Sequence, residues 1–190
     1  MRHLSLPQWI VIGAWAAFIL VWAASAFSVK RDIAKFGMRG GWWMRVLAIV
    51  ALFIVWKCMG RDAPLNLDGA ASESWPAFFG AALSAGGVAF AIWARIHLGR
   101  NWSPRPALKE GHELVTSGPY RLIRHPIYTG LLAALLGTCI VTPSWAAICI
   151  VTAAMFVWRV GVEEDLMVRQ FPDAYPAYKD RTWALIPFIY

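Results

Sequence analysis

Uncharged apolar runs alternate with short charged stretches along this chain, and the length of each run predicts its elements. The first, 8–29, opens at Gln8 and carries no charge for about twenty residues, enough to cross a hydrocarbon core roughly 30 Å thick. The second is placed at 43–59. Its uninterrupted core, Val46 to Trp56, is short, so Arg45 and Lys57 must snorkel while Trp42 and Trp43 sit at headgroup level. The third, 75–94, holds Gly80, Ser84 and Gly87 at helical spacing, which permits close helix packing. A polar stretch from Arg95 to His125 follows. Two shorter apolar runs, 127–141 and 145–159, flank Thr142-Pro143-Ser144, a turn signal that marks a tight helical hairpin. With their flanks counted both can cross; a re-entrant pair is the alternative. Glu163 to Tyr190 reads as a polar amphipathic tail. The pattern predicts an all-α polytopic membrane helix bundle of about five transmembrane helices. It forms a single integral membrane domain over 1–190, ending in a helical tail, with no repeat, low-complexity tract or linker.

Composition agrees: 59% of residues are hydrophobic and twelve are tryptophan, which excludes an ordinary soluble domain. A secretory signal peptide has a shorter apolar core and a small-residue cleavage site, so the first run is expected to be retained. The net charge of +7 points away from nucleic acid, because the cations lie between apolar runs and suit anionic headgroups. Lys30, Arg31, Lys35, Arg39 and Arg45 face only Asp32 in the first loop. Arg95, Arg100, Arg105, Lys109, Arg121 and Arg124 outnumber Glu110 and Glu113 in the polar stretch, whereas the intervening loop is acidic on balance. The positive-inside rule therefore puts the N-terminus outside and both the polar stretch and the tail in the cytosol, at one membrane face. Membrane lipids are expected partners; no required protein partner is evident. Cys58, Cys139 and Cys149 are odd in number, lack metal-binding spacing and suit packed free thiols.

Several chemistries are excluded by what the chain lacks. It has no GxGxxG, P-loop, HExxH or GxSxG, and His97, His112 and His125 have no paired ligand spacing, so no metal site is expected. A dense polar cluster at the expected cytosolic face remains: Arg105, His112, Glu113, Tyr120, Arg124, His125 and Tyr128, then Arg159, Glu163 and Glu164. Polar groups beside a bilayer are costly, which makes such a cluster a candidate site. Each piece also has a plainer meaning. Arg159 and Glu163 are an i,i+4 pair that would serve to end a helix. Arg124-His125-Pro126 is a serviceable basic helix start, and Tyr120 and Tyr128 are ordinary interfacial aromatics.

Several blocks recur together in order: His112-x-Leu114-Val115-x-x-Gly118-Pro119-Tyr120, Arg124-His125-Pro126-x-Tyr128-x-Gly130, Glu163-Glu164, Phe171-x-x-x-Tyr175-x-x-Tyr178 and Arg181…Pro187. The set closely resembles the isoprenylcysteine carboxyl methyltransferase family, related to the phospholipid N-methyltransferases, over about residues 95–190. Leu98-Gly99-x-Asn101-Trp102-Ser103 resembles the lead-in of its prokaryotic members, which implies a prokaryotic inner membrane. The resemblance implies S-adenosyl-L-methionine as cofactor, bound by the regions 95–130 and 159–190. The implied contacts are Arg105, His112, Glu113, Leu114, Val115, Tyr120, His125, Pro126, Ile127, Tyr128, Arg159 and Glu163. The chain departs from its relatives at Arg105, at Phe171-Pro172 where they have Phe-Gly, at the added Pro176, and in having five spans against the eukaryotic eight.

The residue types suit that cofactor. Glu163 fits its ammonium or ribose hydroxyls, arginines and a histidine fit its carboxylate, and tyrosine rings fit its adenine or sulfonium. Methyl transfer to a carboxylate needs no strong base, only alignment, exclusion of water and a cation to hold the acceptor. Arg124 or Arg159, helped by Asn101, are assigned that last role. An amine acceptor would need a base, for which Glu164 is the candidate. The leading expectation is a membrane methyltransferase acting on a prenylcysteine-like or other lipophilic acid. The alternatives are a phospholipid amine N-methyltransferase, an NADPH-dependent sterol-type membrane reductase, and a non-catalytic membrane scaffold.

Overall fold

The computed structural model describes residues 4–25, 32–35, 73–99, 107–109 and 114–188. Helix α1 is Leu6–Ser25, α2 is Trp75–Leu98, α3 is Pro126–Val141, α4 is Ala146–Gln170 and α5 is Ala174–Lys179. Single turns of 3₁₀ helix at Gly118–Arg121 and Pro143–Trp145 precede α3 and α4. α1, α2 and the continuous helical stretch Pro143–Gln170 are each long and apolar enough to cross a membrane, while α3 is a shorter apolar helix. The run expected at 43–59 lies outside the described residues, as do residues 26–29.

Two local features differ from expectation. Asp32–Lys35 (β1) and Ala107–Lys109 (β2) pair as a short antiparallel ladder, joining the first basic loop to the polar stretch. The helix expected to stop near residue 159 continues to Gln170. Charge ends the apolar run there without ending the helix, because Arg159 and Glu163 sit one turn apart and pair along it.

The bundle core is the crossing of α2 and α3. α3 begins at Pro126 and α2 carries Pro76 as its second residue, and proline lacks the amide hydrogen that a first turn leaves unpaired. They meet at glycines. A Cβ on Gly87 would lie 2.5 Å from the Gly130 carbonyl oxygen, and one on Gly130 would lie 2.5 Å from the Gly87 oxygen. Gly80 and Gly137 meet in the same way two turns along. With no side chain between them the backbones touch, which is how helices gain packing energy where lipid provides no hydrophobic drive. α1 runs parallel to α2: Val11 packs with Ala81 and Val141 at one end, and the Arg95 guanidinium donates to the Ser25 carbonyl (3.2 Å) and the Gly99 carbonyl (2.8 Å) at the other. Between these ends the Trp15 indole N–H donates to Thr138 Oγ1 (3.0 Å), and Ser84 Oγ lies 3.4 Å from the same hydroxyl. Three helices are thus tied at one buried point. α4 is different. Its apolar stretch is mostly unburied within the protein, and it packs on α3 near its polar end, Val160 against Tyr128 and Leu132.

Candidate functional site

The site is assembled where the start of α3, the polar half of α4 and the C-terminal segment converge. Gly118 opens the approach with φ 57°, a left-handed conformation that disfavours side chains, and its missing Cβ leaves room for the His97 ring. His97 Nε2 in turn lies 2.9 Å from Ser117 Oγ. This seats Tyr120 in the core with Ala91, Ala94, Ile127 and Leu131. Tyr178 donates its hydroxyl to the Tyr120 carbonyl at 2.5 Å. Burial pushes the Tyr178 hydroxyl up to about 12, so it remains a donor at physiological pH.

The chain then hooks back along the segment before α3. The Trp183 amide donates to the Leu122 carbonyl (3.1 Å), the Arg124 amide to the Trp183 carbonyl (2.8 Å) and the His125 amide to the Ala184 carbonyl (3.0 Å). The Thr129 hydroxyl donates to the Leu185 carbonyl at 2.6 Å. Leu185 and Ala184 pack on Val160 of α4, closing the joint with apolar contact. Residues some sixty positions apart therefore share one local framework.

Two carboxylates organise the side chains. Glu164, nearly buried, accepts from Arg124 Nε at 2.6 Å and pairs with Lys179 Nζ at 2.7 Å. Arg124 also donates through NH1 to the carbonyls of Thr182 and Lys179 and to the Thr182 hydroxyl, which locks the hook to α3. Glu163, more exposed, accepts through Oε1 from both the Tyr128 hydroxyl (2.7 Å) and Arg159 Nε (2.7 Å). His125 sits between the two carboxylates. Its Nδ1 is 3.7 Å from Glu163 Oε2, and its Nε2 is 3.5 Å from Glu164 Oε1, within ion-pair range but without hydrogen-bond geometry. Nε2 is buried and faces the Glu164 carboxylate, making no hydrogen bond of good geometry among the described residues. The rings of His125, Tyr128 and Phe156 stack in sequence, with centroids 5.8 and 5.2 Å apart.

Arg124, His125, Tyr128, Arg159, Glu163 and Glu164 are thereby brought together, each carboxylate paired with an arginine. Tyr120, Pro126 and Ile127 are brought near but buried as packing residues, Tyr120 directing its hydroxyl to the Ala94 carbonyl at 3.4 Å. Leu114 and Val115 are half-buried, Val115 against the same core. Asn101, Arg105, His112 and Glu113 lie outside the described residues. Sequence reasoning missed Lys179 and Thr182, which complete the cage around Glu164 and Arg124. Lys179 follows Tyr175-x-x-Tyr178 directly, and that adjacency was the available signal. Among the described residues no group of three metal-binding side chains occurs.

Comparison with known proteins matches residues 75–174 to the phospholipid methyltransferase family. Protein-S-isoprenylcysteine O-methyltransferase B of Arabidopsis thaliana is 34% identical over 84 residues, which is 43% of each chain. The Homo sapiens protein-S-isoprenylcysteine O-methyltransferase is 37% identical over 83 residues, covering 41% of this chain and 28% of its own. The chain thus matches under half the length of these relatives. Among solved structures, a eukaryotic intramembrane Ras methyltransferase, an isoprenylcysteine carboxyl methyltransferase, superposes over 95% of this chain and 68% of its own at TM-score 0.56 and 22% identity. That likeness establishes the fold, an integral membrane helix bundle.

Proposed function

Since this chain belongs to the phospholipid methyltransferase family, over half of it lying within the matched region, we propose that it is an S-adenosyl-L-methionine-dependent membrane methyltransferase. Its acceptor is the carboxylate of a prenylcysteine-like or other lipophilic acid. It lies in a prokaryotic inner membrane with the N-terminus outside and the site and C-terminus cytosolic, as the distribution of basic loops supports.

The observation that carries this reading is the Glu163 carboxylate, shared by Tyr128 and Arg159, with the His125 ring held between it and Glu164. This donor and acceptor set fits the amino-acid part of the cofactor. Glu163 would hold an ammonium or ribose hydroxyl, His125 would take a polar atom, and Tyr128, its ring flanked by His125 and Phe156, would border the adenine or sulfonium. When bound, the cofactor supplies an electrophilic methyl group. The other contacts proposed are Leu114, Val115, Tyr120, Pro126 and Ile127, with Arg105, His112 and Glu113 from outside the described residues.

Of the two arginines considered for the acceptor, Arg159 fits better. Its side chain is 31% exposed, whereas Arg124 is 8% exposed and engaged with Glu164 and the hook. Arg159, with Asn101, is assigned to orient the acceptor carboxylate, and Arg124 is a positioning residue. Glu164 argues for an acid acceptor over an amine. To serve as a base it would have to take a proton while paired with both Arg124 and Lys179, and a cation pair stabilises the ionised form. A carboxylate acceptor needs no base, so the site's task reduces to alignment and exclusion of water.

Purified protein in detergent is expected to bind S-adenosylhomocysteine. His125→Ala or Glu163→Ala should weaken that binding tenfold or more, about 1.4 kcal/mol. Radiolabelled methyl should pass to farnesylcysteine analogues and not to phosphatidylethanolamine. Label on phosphatidylethanolamine alone would replace the acceptor, and NADPH binding without any response to S-adenosylhomocysteine would overturn the proposal.

A further inference from the structure

The hook that braces the polar cluster has an outer side that the cluster does not use. Leu122 and Ile186 are 57% and 47% exposed there, and Phe188 is 87% exposed. Phe188 also has φ 67°, a left-handed conformation that is costly for a residue with a side chain. Its ring lies against Trp183, with centroids 4.7 Å apart, and the Trp183 amide donates to the Leu122 carbonyl. Leu122, Trp183 and Phe188 thus form an apolar ridge, and Ile186 lies between the last two along the chain. Arg121 and Arg181, both exposed, flank the ridge in sequence and outnumber the exposed Asp180. The depth of this ridge is also fixed. The Tyr120 hydroxyl reaches the Ala94 carbonyl (3.4 Å), which sets Arg121 and Leu122 close to the level of Arg95. Arg95 is the first charge after the apolar run that opens at Trp75, roughly 30 Å along α2. The ridge therefore sits at the border of hydrocarbon and headgroups, where aromatic rings and arginines are favoured.

We propose that this ridge is a foot that plants the hook in an anionic membrane surface, so that lipid composition acts on the polar cluster from outside it. Leu122, Ile186 and Phe188 enter between acyl chains, as the apolar face of an interfacial segment does. Arg121 and Arg181 take headgroup phosphates, which attract cations at this level. The same short segment holds the cluster together. Main-chain bonds join Trp183 and Ala184 to Arg124 and His125, and the Thr182 carbonyl accepts from Arg124, which pairs with Glu164. A planted foot restricts this segment, and with it the placement of Arg124 and Glu164. The foot itself stands on the hook's own geometry; its effect on cofactor affinity rests on the preceding reading.

The test places the full chain in nanodiscs of phosphatidylcholine, with or without phosphatidylglycerol. Two quantities are read: amide hydrogen exchange over residues 181–188, which needs no cofactor, and S-adenosylhomocysteine affinity. Phosphatidylglycerol should slow the exchange and tighten the binding, each by about threefold or more. Arg121→Gln with Arg181→Gln should abolish both gains and leave the values in pure phosphatidylcholine unchanged. Phe188→Ser, at an exposed position, should speed exchange in either lipid and serves if the arginine pair does not fold. Exchange slowed by phosphatidylglycerol in a protein that binds no S-adenosylhomocysteine would uphold the foot and overturn the assigned cofactor. Exchange equal in the two lipids would overturn the foot and leave the cofactor standing, as would gains that survive the loss of both arginines. Exchange slow in both lipids and released on dilution of the protein would give the ridge to a second copy of the chain, and would overturn the foot as well.

Discussion

α3 presents two unlike faces. Toward α2 it shows Gly130, Ala134 and Gly137, and the backbones are in contact. Toward α1 and α4 it shows Leu131, Leu135 and Thr138, and these side chains line a cavity large enough for a ligand. One helix of sixteen residues is therefore welded on one side and open on the other. The difference follows from residue size. Small residues let helices approach until main chains touch, and larger ones hold them apart. Rigidity on the glycine face lets the open face stay open: α3 has no need of α4 for its position, so α4 can stand off and leave a space. The polar cluster closes the same two helices at their polar end, by ion pairs and a main-chain hook in place of close packing.

The comparison breaks first at Glu164. Glu164→Gln keeps the volume but leaves the buried Arg124 without its carboxylate, and losing one partner of a buried ion pair costs about 3 kcal/mol or more. Denaturation in detergent should show this loss together with earlier exposure of the C-terminal segment to protease. A loss below about 1 kcal/mol would mean that main-chain bonds alone hold the hook. The next effect is on the welded face. Gly87→Ala and Gly130→Ala place a methyl against main chain that has little freedom to yield, which costs about 1–3 kcal/mol each. Gly13→Ala, Gly86→Ala and Gly161→Ala meet open space and should be neutral or slightly stabilising through helix propensity. Equal losses in both groups would show that the glycines act through chain flexibility and not through contact.

The glycine face was legible in the sequence, because Gly80, Ser84 and Gly87 recur at helical spacing inside a long apolar run. The bundle was legible for a related reason: an uncharged apolar run of some twenty residues matches the thickness of a bilayer core and exceeds what a buried helix of a small soluble domain requires. The polar half of α4 was not. Arg159, Glu163 and Glu164 end the hydrophobic pattern, and a reading based on hydrophobicity ends the helix with it, although their mutual pairing carries the helix on to Gln170. The hook was invisible because it is made by main-chain groups of Leu122, Arg124, His125, Trp183 and Ala184, which leave no side-chain signature. Short strands such as Asp32–Lys35 and Ala107–Lys109 pair across a wide sequence gap and are too brief for an alternating pattern to stand out. Within the site, the residue types named both carboxylates and both arginines. Only the fold divided the work between them, giving Arg124 to the scaffold and leaving Arg159 more exposed.

The smallest effect tests whether the two faces of α3 are independent. Thr138 belongs to both: its side chain lines the cavity, its hydroxyl donates to the Ala134 carbonyl at 2.8 Å, and it meets Ser84 of α2 and the Trp15 indole of α1. Thr138→Val preserves the shape and removes the acceptor. Interhelical hydrogen bonds in membranes contribute about 0.6 kcal/mol each, so the variant should lose about 1 kcal/mol. Most of that loss comes from leaving the Trp15 N–H without its acceptor. Trp15→Phe removes the donor instead, and in the double variant the stranded group is gone. The double variant should then lose about 0.6 kcal/mol less than the sum of the two single losses, the signature of direct coupling.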